Sequence, residues 1–139
     1  MVCPTTYLTL ARLRRCGQLQ GGGGVIILTC RNVKGFDIIV LQALSDTVDT
    51  EHLNYFHPAS LSHLLTECSF EVLEVLTRGK LDAELVRKKI LTGELDVSSR
   101  PFLKQVLVDE WKRVGDAFQQ FLIANRRSSH MWLAAHKRG

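Results

Sequence analysis

No run of apolar residues in this chain approaches the ~20 that a membrane-spanning helix needs, which argues against a helical membrane protein. Proline is scarce, at 3 of 139 residues, and aromatics make up only 7%. The four cysteines (Cys3, Cys16, Cys30, Cys68) form no C-x-x-C pair and are too sparse for the disulfide framework of a small secreted domain. They read as reduced thiols and point to a cytoplasmic setting. Neither H-E-x-x-H nor G-x-S-x-G occurs, so the zincin and nucleophile-elbow chemistries have no sequence support. Acid is missing from one end: residues 1–36 hold five basic side chains (Arg12, Arg14, Arg15, Arg31, Lys34) and no carboxylate.

What is present is ordinary globular composition, 45% hydrophobic and 23% charged, in a length that suits one domain. The net charge of +4 arises at the start, because the remaining residues hold 13 basic against 14 acidic groups. A nucleic-acid binder spreads a basic stripe over a folded face, so this distribution argues against that role. The acid-poor start lacks the serine enrichment of a transit peptide and reads as an ordinary beginning.

Leu8–Leu19 reads as a partial helix, closed by the glycine run Gly21–Gly24. Val25–Leu28 is a short β-branched run of the kind buried on both faces inside parallel sheets. Phe36–Leu44 is apolar and fits either helix or extended chain. After Pro58, residues Leu61, Leu64, Leu65 and Cys68 make one apolar stripe at helical spacing. Phe70–Leu76 reads as a strand ended by Gly79. Asp82 suits the cap of a second helix, with Glu84 in its first turn, Lys88 and Lys89 near its end, and Gly93 as a left-handed stop. Pro101–Asn125 reads as one long helix with Leu103, Val106, Leu107, Val114, Phe118, Phe121 and Leu122 on its stripe. His130–Ala135 reads as a last strand. The order predicts an α/β fold with a three-stranded sheet.

The glycine run is no phosphate loop, since it precedes a strand and no Lys-Ser/Thr follows. His52, His57, His63 and Cys68 match no zinc spacing, so no metal ligand is assigned. The segment Glu51–Phe56 carries the chemistry. In open α/β sheets ligands lie beyond the carboxyl ends of the strands, where the loop after Leu28, with Asn32, meets such a segment. His52 is the candidate proton acceptor, with Asn32, Asn54 and Tyr55 as candidate substrate contacts. The competing reading is structural: His52 and Asn54 bond the loop backbone and Phe56 packs inward.

Gly23-Gly24-Val25-Ile26-Ile27-Leu28-Thr29, then Asn32, then Glu51-His52-Leu53-Asn54-Tyr55-Phe56-His57-Pro58-Ala59-Ser60-Leu61, and finally Phe70–Val75 resemble the C-terminal half of a class I S-adenosylmethionine-dependent methyltransferase. The likeness covers about residues 19–78 and extends to the strand near Trp132. It implies a Rossmann-like sheet whose fifth, sixth and last strands are these three, with a helical pair inserted at about 81–128. Residues 1–24 then form a partial helix and turn, and 25–139 the C-terminal portion of the domain. The family turn commonly reads Pro-Gly-Gly, whereas this chain has glycine alone. Where the family helix stops at glycine, this chain has Ser69, and a left-handed non-glycine costs about 1 kcal/mol.

The resemblance implies a small-molecule methyl acceptor and S-adenosylmethionine as cofactor. The family's cofactor-binding strand, glycine-rich loop and acidic residue do not precede Gly21, where only about twenty residues stand against ~30 per βα unit. No cofactor-binding residue is therefore assigned. The expectation is a truncated, substrate-side half that binds no cofactor and transfers no methyl group alone. The alternative from a different class is a non-catalytic α/β interaction module that associates through an exposed sheet edge.

Overall fold

His57 starts the best-defined helix. Its Nδ1 accepts from the Ser60 amide at 3.4 Å, while its own amide donates to Ser60 Oγ at 2.9 Å. This reciprocal box, followed by Pro58 at the first helical position, fixes where the helix begins. The computed structural model describes residues 2–4, 23–46, 48 and 55–139.

The elements in chain order are β1 (Val2–Pro4), β2 (Val25–Arg31), α1 (Phe36–Leu41, continued by a 3₁₀ turn over Gln42–Leu44), α2 (Pro58–Glu67) and β3 (Phe70–Thr77). They are followed by α3 (Asp82–Leu91), α4 (Pro101–Lys104), a π turn (Gln105–Asp109), α5 (Trp111–Ala124) and β4 (His130–Lys137). The fold is α/β. The helix expected over Leu8–Leu19 lies outside the described residues.

The three expected strands form, and a fourth, β1, joins them at the edge; the sheet order is β1-β2-β4-β3. β1 pairs parallel with β2, with Val2 opposite Ile27. β4 runs antiparallel between β2 and β3, placing Leu133 opposite both Leu28 and Val75. β2 and β3 therefore point the same way, and their carboxyl ends lie on either side of the start of β4.

Leu61 and Leu65 of α2 are fully buried against Ile26, Leu28, Phe70, Met131, Leu133 and Ala135, forming the first core. Cys30 packs on the same cluster. The stripe of α2 is as the sequence predicts, and Ser69 beyond it does take the left-handed conformation, at φ 63°. β2 differs from expectation. Ile26 and Leu28 are buried, but Val25 is 47% and Ile27 36% exposed, so the strand is packed on one face only. Its β4 neighbour is antiparallel, and such pairs tolerate one open face.

The second core is helical. Leu41, Ala83, Val86, Leu107 and Leu122 are buried together beneath Phe36, Trp111 and Phe118. Phe36 meets Phe118 edge to face with centroids 5.1 Å apart. α3 begins and ends close to expectation, and Gly93 adopts φ 77°. Asp82 is its first helical residue rather than its cap, a place held by Leu81.

The single long helix expected over Pro101–Asn125 is broken. Glu110 N donates to Gln105 O at 2.9 Å, an i→i+5 bond that closes a π turn. One extra residue in a turn rotates everything after it by about 100°. Gly115, Gln119 and Leu122 thus face inward, while Phe121, expected on the stripe, is 56% exposed.

Candidate functional site

β2 ends at Arg31, and the chain leaves the sheet at Asn32. That side chain is fully buried, and its amide hydrogens are already used: Nδ2 donates to Arg126 O and Ser128 O, both at 3.0 Å. Its Oδ1 accepts from the Lys34 amide at 3.1 Å, and its own amide donates to Ser129 O at 2.6 Å. Asn32 therefore ties the tip of β2 to the residues that lead into β4.

Gly35 completes this junction. A Cβ there would lie 2.5 Å from Ser129 Cα, so only glycine allows the two backbones to meet.

Phe56 reaches the same place. It forms a parallel bridge with Asn32, and Val33 N donates to Phe56 O at 2.8 Å. The expected meeting of the β2 loop with the segment before α2 is therefore present. Tyr55 is half-buried beside that bridge. His52 and Asn54 lie outside the described residues, so the structure places two of the four candidate residues, Asn32 and Tyr55.

Beneath the junction is a polar network that sequence reasoning missed. Asp82 Oδ1 accepts from the Ser129 amide, and its Oδ2 accepts from Ser128 Oγ and Gln119 Nε2, each at 2.8 Å. Gln119 Nε2 also donates to Gly79 O, and its Oε1 accepts from the Ala83 amide at 2.9 Å. Three segments, the ends of β3 and α5 and the start of α3, are locked to the start of β4. The available signal was a glutamine beside Phe118, Phe121 and Leu122, together with the Ser128-Ser129 pair just before a strand.

A cleft of about 480 Å³ opens above this network at the carboxyl ends of β2 and β3, lined by Arg31, Arg78, Lys80, Asp82 and His130 among others. Nearby, Asp37 in α1 is 1% exposed, and among the described residues no donor meets either carboxylate oxygen at full hydrogen-bond geometry, Ser129 and the Ile38 amide being only weakly placed. Burial pushes its pKa up from the ordinary carboxylate value, and the like charge of Asp82 adds to this. Ser129, the Ile38 amide and Arg31 offset part of the shift. Asp37 lines a second, smaller cavity of about 160 Å³ with Leu41 and Lys88. Among the described residues no group of three or more His, Cys, Asp or Glu side chains is placed to hold a metal ion, and no helix is long and apolar enough to cross a membrane.

No family model and no curated protein matches this chain. Among solved structures it is similar to the [4+2]-cyclase SpnF, at 15% identity and a TM-score of 0.46 over 99% of this chain and 48% of that one. It is also similar to phosphoethanolamine N-methyltransferase 2 of Haemonchus contortus, solved with phosphomonomethylethanolamine and S-adenosylhomocysteine. There the identity is 17% and the TM-score 0.40, over 94% of this chain and 30% of that one. The chain thus spans under half the length of either protein.

Proposed function

We propose that this chain is the acceptor-facing half of an S-adenosylmethionine-dependent methyltransferase-like domain, and that these 139 residues alone do not transfer a methyl group. One observation carries the reading. The Asn32–Phe56 bridge brings the loop after β2 and the segment ending in Tyr55-Phe56 together one residue from Arg31, which lines the cleft at the carboxyl ends of two parallel-pointing strands; Asn32, Tyr55 and Phe56 themselves do not line it. Open α/β sheets bind ligands at that edge, and the residues of these two segments are those that resemble the family.

In this reading His52, Asn54 and Tyr55 contact a small-molecule acceptor, with His52 drawing off its proton. Asn32 acts through the backbone it holds in place. Methyl transfer depends mainly on placing the acceptor atom in line with the sulfonium methyl, and S-adenosylmethionine supplies that methyl. The chain's contribution is to position the acceptor. The family's cofactor-holding strand, glycine-rich loop and acidic residue are not among the segments of this chain that resemble it.

Isothermal titration with S-adenosylmethionine tests the inactivity: no binding is expected, and micromolar binding would refute it. The coding sequence ahead of Met1 tests the resemblance. An in-frame strand, glycine-rich loop and helix supports it, and its absence counts against it.

The alternative is a non-catalytic module that pairs with a partner through an exposed sheet edge or the long helix, and the 56% exposed Phe121 on α5 is the observation that favours it. A stable complex without cofactor affinity would select it.

A further inference from the structure

We propose that the cleft at the ends of β2 and β3 binds a phosphate or carboxylate group through Arg31, Arg78, Lys80 and His130. Arg31 is the cross-strand partner of His130, and Arg78 N donates to His130 O at 3.0 Å. Partners in register on neighbouring strands project from the same face, so three basic side chains form one row across the end of the sheet. Lys80 lines the same cleft two residues further on.

Three cations, Arg31, Arg78 and Lys80, line the cleft against two carboxylates, Asp46 and Asp82. Among the described residues Arg31, Arg78 and Lys80 make no ion pair within 4 Å. The carboxylates nearby have partners of their own: Asp46 pairs with Lys89 at 3.5 Å, and Asp82 accepts from Ser128, Ser129 and Gln119. The guanidinium and ammonium donors of the row are left for an oxyanion.

The row is also held in position. The Arg78 guanidinium carbon lies 5.4 Å from the Trp132 ring centroid, within reach of a cation–π contact that holds the side chain over β4. Gly79 presses the Arg78–Lys80 segment against the start of β4, since a Cβ there would lie 2.1 Å from Ser128 Oγ. The cleft has the volume of a small-molecule site. Calling the ligand a methyl acceptor rests on the proposed function; the anion site itself does not.

The test is a nuclear magnetic resonance titration of the chain with inorganic phosphate, and separately with acetate, at low ionic strength. Saturable shifts at Arg31, Arg78 and His130 are expected, and the arm that binds tighter tells phosphate from carboxylate. Arg78→Gln and Lys80→Gln alter exposed side chains and should each weaken binding roughly tenfold, as loss of a charged hydrogen bond does. Arg31→Gln should do the same if it folds. Arg138→Gln, an exposed basic residue at the opposite end of β4, should leave binding unchanged. No saturable shift, or equal weakening by Arg138→Gln, overturns the site. Saturable binding of phosphate or acetate keeps the site even where the methyltransferase reading fails its own tests, and a failed titration removes the site without touching that reading.

Discussion

Asp37 shows how much one buried group can shape the pH response of a small domain. Because its folded pKa is raised, chiefly by burial, the folded state holds its proton more tightly than the unfolded chain. That contribution is fully present below the ordinary carboxylate range and is lost as pH rises through it towards the raised value. Asp37→Asn should therefore increase stability at neutral pH and flatten the decline between acid and neutral, read from urea midpoints across that window. A mutant that is no more stable at pH 7 than the parent would show that a partner offsets the charge. Gln119 is the opposite case, a polar group with every partner in place. Gln119→Ala leaves the buried Ala83 amide without an acceptor and should cost about 1–3 kcal/mol in chemical denaturation. Neither role could be read from the sequence, because one depends on what lacks a donor and the other on contacts 36 to 40 residues away.

Elements divide along the same line. α2 was legible end to end, since Pro58, the stripe from Leu61 to Cys68 and the stop at Ser69 are local signals. Ser69 carries a left-handed backbone at φ 63°, so Ser69→Gly should stabilise the protein by up to about 1 kcal/mol, measurable as a rise in the thermal midpoint. The helix after Pro101 was legible only as helix. Its π turn rotates α5 so that Gln119 enters the network, a choice made by packing on Leu107 and Ala83 rather than by propensity. Deleting one residue within Gln105–Asp109 should replace the π turn by regular helix and keep α5 in its present rotation, with Gln119 inside and Phe121 outside. A change of no more than about 1 kcal/mol in chemical denaturation is the expected result, and a loss of several kcal/mol would show that the π turn does more than set the rotation of α5.

For the whole molecule, two cores stack end to end. One is the sheet with α2 on a single face; the other is the helical group beyond the strand ends. The candidate cleft lies where they meet, which is why its lining comes from β2, β3, β4 and α3 together. On the opposite sheet face Ile27 is 36% exposed, and the non-catalytic alternative uses that position for association. Sedimentation should detect concentration-dependent self-association of the chain. Ile27→Lys should reduce it with little change in stability, because that side chain is already 36% exposed.

Sequence alone determined the α/β order, the three main strands and the α2 stripe, since each rests on periodicity and turn chemistry within a few residues. Tertiary structure alone decided the edge strand β1, the open face of β2, the rotation of α5 and the row from Arg31 through His130 to Arg78. Those features follow from pairing and packing between distant segments, where the free energy belongs to the contact and neither partner encodes it by itself.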